Sequence, residues 1–141
     1  MDIRQLTPDF AVSPQIDPTD VPQIAAAGFK TVICNRPDQE VPVELGFETM
    51  KIAVEAAGLT FINLPTTHQT LSLDMAQHQA HLVDDAGGPV LAYCASGTRS
   101  SIIWSFGMAG RLSTDEIISA TTKAGYQLGQ MRPQLDAIAA Q

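Results

Sequence analysis

The sequence predicts an α/β fold: a central, mostly parallel sheet of four or five strands with helices on both faces. Short apolar or β-branched runs at residues 30–34, 60–64 and 90–93 are each followed by a helix-length segment, the alternation typical of parallel strands. Two N-terminal runs, residues 3–6 and 10–13, are separated by Thr7-Pro8-Asp9. They predict a small edge hairpin.

Helix ends are marked by capping residues and glycines. Thr19 is expected to cap a first helix that ends at Gly28, and Ser72 a helix that runs to about residue 86. Ser113 and Glu116 form a capping-box pattern. With 141 residues, of which 45% are hydrophobic, the chain is expected to form one domain over residues 1–141.

Charge and hydropathy exclude several classes of function. A net charge of −7 argues against a general nucleic-acid or anionic-membrane binder. No apolar run reaches membrane-spanning length, and the first residues lack the pattern of a signal peptide. The two cysteines are too few for a disulfide framework, so we expect free thiols and a cytoplasmic location.

The chemistry-bearing segment begins where the run at residues 90–93 ends. Cys94 follows that strand, and Arg99 and Ser100 open the next predicted helix. A strand, a short loop and a helix N-terminus together bind anions through converging backbone N–H groups and the helix dipole. That field favours the thiolate, the nucleophilic form of cysteine. Arg99 offers a planar fork for an oxyanion, and the loop between them supplies candidate substrate-binding residues: Ala95, Ser96, Gly97 and Thr98.

These residues resemble a known type of active-site loop. The segment from Cys94 to Arg99 is similar to the active-site loops of rhodanese sulfurtransferases and cysteine-dependent phosphatases. With residues 15–16, 28–33 and 35–38, the chain resembles the phosphatase-like domain of the beta-lactamase-hydrolase-like proteins over roughly residues 3–133. The resemblance implies a tyrosine-phosphatase-like fold.

Two reactions suit this loop, and its length favours one of them. Four residues separate Cys94 from Arg99, as in rhodaneses, whereas tyrosine and dual-specificity phosphatases have five. The segment Asn63-Leu64-Pro65 resembles one that dual-specificity phosphatases follow shortly with an aspartate, their proton donor. This chain has Thr66-Thr67-His68 at that place. Losing such an acid costs about 10²–10⁴-fold in rate. We therefore expect a sulfurtransferase that forms a persulfide on Cys94; the alternative is a slow phosphatase in which Asp38 or His68 replaces the acid.

Several assignments keep a second interpretation. Ser100 either directs its hydroxyl at the thiolate, as the resemblance implies, or supports the helix start. Arg36 either binds substrate or pairs with Asp38 or Glu40. Cys34 is a buried structural cysteine or a resolving thiol.

The expected partners follow from the loop. They are a small anionic sulfur donor, thiosulfate or a persulfide, or else a phosphoester, together with a protein partner in sulfur metabolism. No metal or cofactor is expected. A third hypothesis is an inactive module that senses anions or persulfides.

Overall fold

The sheet is mixed and has five strands. A computed structural model describes residues 1–141, with strands β1 (Arg4–Thr7), β2 (Phe10–Ser13), β3 (Thr31–Cys34), β4 (Thr60–Asn63) and β5 (Val90–Tyr93). Their order is β1-β2-β5-β3-β4. β1 runs antiparallel to β2, and every other pair is parallel. The predicted α/β class and the edge hairpin are confirmed.

Six α-helices cover the sheet: α1 (Val21–Ala26), α2 (Phe47–Ala56), α3 (Leu73–Asp84), α4 (Thr98–Met108), α5 (Thr114–Lys123) and α6 (Arg132–Ala139). One buried cluster joins alternate sheet residues to α1 and α2, and a second joins the other face to α4, α5 and α6. No helix is long and apolar enough to cross a membrane.

Side-chain caps mark the starts of two of the six α-helices. Ser72 accepts a hydrogen bond from Met75 N, and the Ser113–Glu116 capping box is formed. The prediction that Thr19 caps the first helix is wrong. Asp17 instead accepts from Thr19 N and, with Asp20, closes a capping box on the one-turn 3₁₀ helix Pro18–Asp20 that precedes α1. This box satisfies the N–H groups of Asp17 and Thr19, whereas α1 begins after Asp20 with no side-chain cap.

The strand that leads to the site is fully buried. Val90 and Ala92 face the α4 side, and Leu91 and Tyr93 face the α1–α2 side. β5 is hydrogen-bonded to β2 on one side and to β3 on the other. Because both neighbours are parallel, their carboxyl ends lie with that of β5 at one edge, where α/β sheets bind ligands.

The segments that follow β3, β4 and β5 meet at this edge. Asn35 N donates to Tyr93 O, and Thr66 N donates to Asn35 O. Gln15 N donates to Ala95 O, which extends the β2–β5 pairing into the loop. The loop that follows β5 is therefore anchored on both sides by backbone hydrogen bonds.

Candidate active site

The loop from Cys94 to Thr98 folds back over the cysteine sulfur. Gly97 N donates to Cys94 Sγ at 3.1 Å, the contact that would stabilise a thiolate at the start of α4. Ser96 Oγ accepts from Thr98 N at 3.3 Å and donates to Thr98 Oγ1 at 3.0 Å. These short-range bonds hold the turn that brings Gly97 N to the sulfur.

Gly97 is required at the turn. Its φ is +95°, a left-handed conformation that favours glycine. A Cβ there would also overlap Tyr126 Oη, because Tyr126 packs against the loop and donates its hydroxyl to Ser96 O at 3.0 Å. Tyr126 thus buttresses the loop from the segment that follows α5.

Arg99 is fixed by a carboxylate. Its Nη1 and Nη2 donate to Glu40 Oε2 and Oε1 at 2.8 and 2.6 Å, and Nη1 also donates to Thr66 O at 2.9 Å. The hydrogen bonds to Glu40 raise the pKa of Arg99 above its ordinary value, and Cys94 adds to this effect from nearby. The same bonds lower the pKa of Glu40.

Two of the N–H groups of Arg99 have no acceptor within the protein. A guanidinium has five N–H groups, and three of those of Arg99 are used by Glu40 and Thr66. The two that remain, on Nε and Nη2, lie on one edge of the planar group. Such an edge matches two oxygens of a tetrahedral oxyanion, so Glu40 holds the end of the guanidinium and leaves its side free.

Arg36 pairs with the same glutamate, as one of the two interpretations predicts. Its Nε donates to Glu40 Oε1 at 3.3 Å and its Nη2 to Glu40 O at 3.2 Å. Nη1 donates to Gln15 Oε1 at 3.3 Å. In this arrangement Arg36 lies behind Glu40 and does not line the cleft described below.

Ser100 faces a buried polar network. Its Oγ donates to Asn35 Oδ1 at 2.9 Å, and Asn35 Nδ2 donates to Gln79 Oε1 at 2.8 Å and to Leu64 O at 3.1 Å. Ser100, Asn35 and Gln79 are all at most 2% exposed. The hydroxyl therefore ties the first turn of α4 to the end of β3 and to α3, and in this arrangement it does not donate to Cys94.

The two candidate proton donors are placed differently. Asp38 Oδ1 accepts from Phe47 N at 2.8 Å at the start of α2, and Asp38 does not line the cleft. His68 is exposed and does line it. Of the two, only His68 lines the cleft.

Cys34 lies on the other face of the sheet. It packs with Tyr93 in the α1–α2 cluster, and its Sγ donates to Arg36 O at 3.3 Å. Burial raises the pKa of the Cys34 thiol. Cys34 pairs with Tyr93 across β3 and β5, and the charge of Cys94, the next residue, contributes to the raised pKa of Cys34. Both are free thiols.

An open cleft of about 480 Å³ lies over the loop. Its walls are formed by Glu40, Thr67, His68, Gln69, Ala95, Ser96, Thr98 and Arg99. Cys94 is 1% exposed and does not belong to these walls, so its thiol is recessed behind the loop. The cleft brings together the predicted loop, Arg99 and His68.

The sequence pattern of the family described as "Beta-lactamase hydrolase-like protein, phosphatase-like domain" matches residues 2–111. The chain belongs to this family. A beta-lactamase hydrolase-like protein of Agrobacterium fabrum is 34% identical over 112 residues, which are 77% of this chain and 26% of that protein. The chain spans about a quarter to a third of the length of such curated relatives.

Solved structures agree with the phosphatase-like assignment. A candidate phosphatase of Neisseria meningitidis is 38% identical, superposes with a TM-score of 0.86, and is matched over 98% of this chain and 99% of that chain. Tk-PTP in its active form, at 18% identity, has a TM-score of 0.76 over 99% of this chain and 97% of that chain. The fold of this family member is thus tyrosine-phosphatase-like.

The side chains that fix the loop and Arg99 in place could not be predicted from the sequence. The sequence suggests Glu40 only as a partner of Arg36 and indicates no role at the site for Gln79 or Tyr126. Asn35 carries one signal, since it directly follows the β-branched and apolar run that ends at Cys34, whereas Gln79 stands between His78 and Ala80. Asn35 and Gln79 are 44 residues apart, and Glu40 and Arg99 are 59 residues apart. Contacts at such separations produce no repeating pattern from which a single sequence could predict them.

Proposed function

We propose that this phosphatase-like domain is a cysteine-dependent phosphomonoester hydrolase. The observation that carries the proposal is the free Nε–Nη2 edge of Arg99 beside Cys94, at the N-terminus of α4. That edge and the loop amides bind three phosphoryl oxygens without assistance from any other cation. The family assignment and the fold of the related structures support the same reading.

The reaction takes two steps. Cys94 thiolate attacks phosphorus, a P–S bond forms, and the P–O bond to the alcohol breaks with its electron pair on the leaving oxygen. His68, which lines the cleft, protonates that oxygen. Water then attacks the phosphocysteine, the P–S bond breaks, and inorganic phosphate and the thiolate are released. Arg99 stabilises the charge on the equatorial oxygens in both steps.

Phosphate release from a small phosphomonoester tests the proposal. The unmodified protein is expected to turn over, Cys94→Ser to lose all activity, and Arg99→Lys to lose about 10²–10³-fold because a point charge replaces the fork. Cys34→Ser is the matched control and is expected to keep its activity, since Cys34 packs in the α1–α2 cluster and does not line the cleft. Equal activity of the Cys94→Ser protein would refute the proposal.

Sulfur transfer is the second candidate function, favoured by the four-residue spacing between Cys94 and Arg99. Cys94 thiolate would attack the outer sulfur of thiosulfate, the S–S bond would break, and sulfite would leave with its electron pair. A thiolate or cyanide acceptor would then remove the sulfur from the persulfide. A thiosulfate:cyanide assay that is positive in the absence of phosphate release would establish this reaction instead.

We also propose that residues 1–141 act as one domain in the cytoplasm. Both cysteines are free thiols, the state that a reducing compartment maintains. The curated relatives are three to four times longer than the matched segment.

A further inference from the structure

The walls of the cleft restrict what can bind beside Arg99. Seven of their eight residues are polar or charged, and the only apolar one is Ala95. A ligand that enters the cleft therefore exchanges water for hydroxyl, amide, imidazole and carboxylate groups. A leaving group without hydrogen-bonding capacity would desolvate these groups with no compensation.

Positive charge is scarce in the cleft. The chain has eight Lys and Arg residues, of which only Arg99 lines the walls. Glu40 offsets the charge of Arg99 through two short hydrogen bonds, and the protein as a whole carries −7. One phosphoryl group brings about −1.5 to −2 charges. A ligand with several phosphates would place its additional charge against Glu40 with no cation to balance it.

Aromatic walls are missing as well. The chain has eight aromatic residues, and none of them lines the cleft. Tyr126, which contacts the loop, is 6% exposed and turns its hydroxyl to Ser96 O. An aryl phosphate would thus lack the apolar or stacked surface on which an aromatic ring gains most of its binding free energy.

The walls offer hydrogen bonds instead. His68 and Gln69 are exposed and form no side-chain hydrogen bond within the protein. Thr98 Oγ1 accepts from Ser96 Oγ and keeps its own proton for another acceptor. We infer, resting on the proposed hydrolase function, that the substrate is the monophosphate of a small, neutral, polyhydroxylated alcohol, whose hydroxyls pair with these groups.

Binding to the inert Cys94→Ser protein tests this inference without requiring turnover. Calorimetric titrations compare inorganic phosphate, glycerol 3-phosphate, O-phosphotyrosine and inositol hexakisphosphate. Glycerol 3-phosphate is expected to bind about tenfold more tightly than inorganic phosphate, the effect of one or two additional hydrogen bonds. Phosphotyrosine and inositol hexakisphosphate are expected to bind no more tightly than inorganic phosphate.

Two further variants locate the effect. Gln69→Leu in the cleft wall is expected to reduce the affinity for glycerol 3-phosphate to that for inorganic phosphate. The matched control Gln77→Leu, on the exposed face of α3, is expected to change neither affinity. A Gln69→Leu protein that keeps the full advantage for glycerol 3-phosphate would overturn the inference.

The other outcomes separate the inference from the proposed function. If phosphotyrosine or inositol hexakisphosphate binds tenfold more tightly than glycerol 3-phosphate, or if glycerol 3-phosphate gains nothing over phosphate, the substrate inference fails while the hydrolase proposal stands. If inorganic phosphate and all three esters fail to bind, the hydrolase proposal fails and this inference with it.

Discussion

At the scale of single residues, the site depends on a carboxylate that orients a guanidinium. Glu40 occupies the end of Arg99 and leaves the Nε–Nη2 edge for a ligand. A glutamate in an anion site would otherwise repel the substrate. Its two short hydrogen bonds instead fix a long side chain that would lose rotamer entropy on binding an anion.

Replacing Glu40 by Gln tests this role. The substitution removes the charge and turns one acceptor into a donor that faces Arg99, so kcat/KM for phosphate release is expected to fall about 10- to 100-fold. Glu44→Gln, on an exposed one-turn helix outside the cleft, is the control and is expected to match the unmodified protein. An increase in kcat/KM for the Glu40→Gln protein would show that Glu40 blocks the site.

A second prediction at this scale concerns Gly97. Gly97 and Gly58 both have positive φ, but a Cβ at Gly58 meets no atom within 4 Å. Gly58→Ala thus isolates the backbone strain, about 1–2 kcal/mol. Gly97→Ala adds the overlap with Tyr126 Oη and is expected to lower the free energy of unfolding by about 1–3 kcal/mol more, measured by urea denaturation. Equal losses in the two variants would contradict the proposed packing of Tyr126 against the loop.

At the scale of elements, the first turn of α4 is joined to β3 and α3 by side chains rather than by backbone. Ser100, Asn35 and Gln79 form a buried chain of hydrogen bonds. Fully satisfied buried networks fix one arrangement of the elements they join. The position of the loop therefore depends on the sheet and on α3 as well as on its own turn.

The Ser100→Ala variant distinguishes a structural role of the hydroxyl at the start of α4 from a catalytic role at the Cys94 thiolate. The change leaves Asn35 Oδ1 without its donor, so a loss of about 1–3 kcal/mol in the free energy of unfolding is expected, with less than a tenfold change in kcat at a temperature where the variant is folded. Ser105→Ala, which removes a hydroxyl bonded only to the backbone oxygen of Ser101, is the comparison and is expected to lose less. A kcat reduced 100-fold in a fully stable Ser100→Ala protein would instead assign the hydroxyl to the reacting thiolate.

The elements themselves could be predicted well from the sequence. The limits of β5, the Ser72 cap and the Ser113–Glu116 capping box depend on residues at most a few positions apart, and local propensity is strong there. The first helix cap was missed because Asp17, Thr19 and Asp20 all have side chains suited to capping. Only the geometry of the Pro18–Asp20 turn selects Asp17.

At the scale of the whole molecule, parallel strand order determines which distant residues meet. In the predicted mostly parallel sheet the segments after β3, β4 and β5 share an edge, and Asn35 is hydrogen-bonded to both Tyr93 and Thr66 there. The sequence did not predict that Glu40 reaches Arg99, because that contact depends on the path of the loop between β3 and α2. Side chains alternate between the two faces along β3, and this alternation places Cys34 in the α1–α2 cluster. The composition alone does not indicate on which face Cys34 lies.

The Glu40–Arg99 pair also links the site to global stability and pH. The pKa of Glu40 is lowered below its ordinary 4.5 by its bonds to Arg99, so the pair contributes stability above about pH 4.5 and loses it as pH falls through the lowered value. The difference in unfolding free energy between the unmodified and Glu40→Gln proteins is therefore expected to shrink as the pH falls below about 4.5. Urea titrations at stepped pH measure it, and a difference that grows on acidification would contradict the assignment.

The most direct test of the account is the intact mass of the protein quenched in acid during turnover of a small phosphomonoester. A phosphoryl group on Cys94, a gain of roughly 80 Da that is absent from Cys94→Ser and present in Cys34→Ser, is the expected result. A protein that never gains this mass, yet gains roughly 32 Da on Cys94 after exposure to thiosulfate, would contradict the hydrolase and establish sulfur transfer in its place.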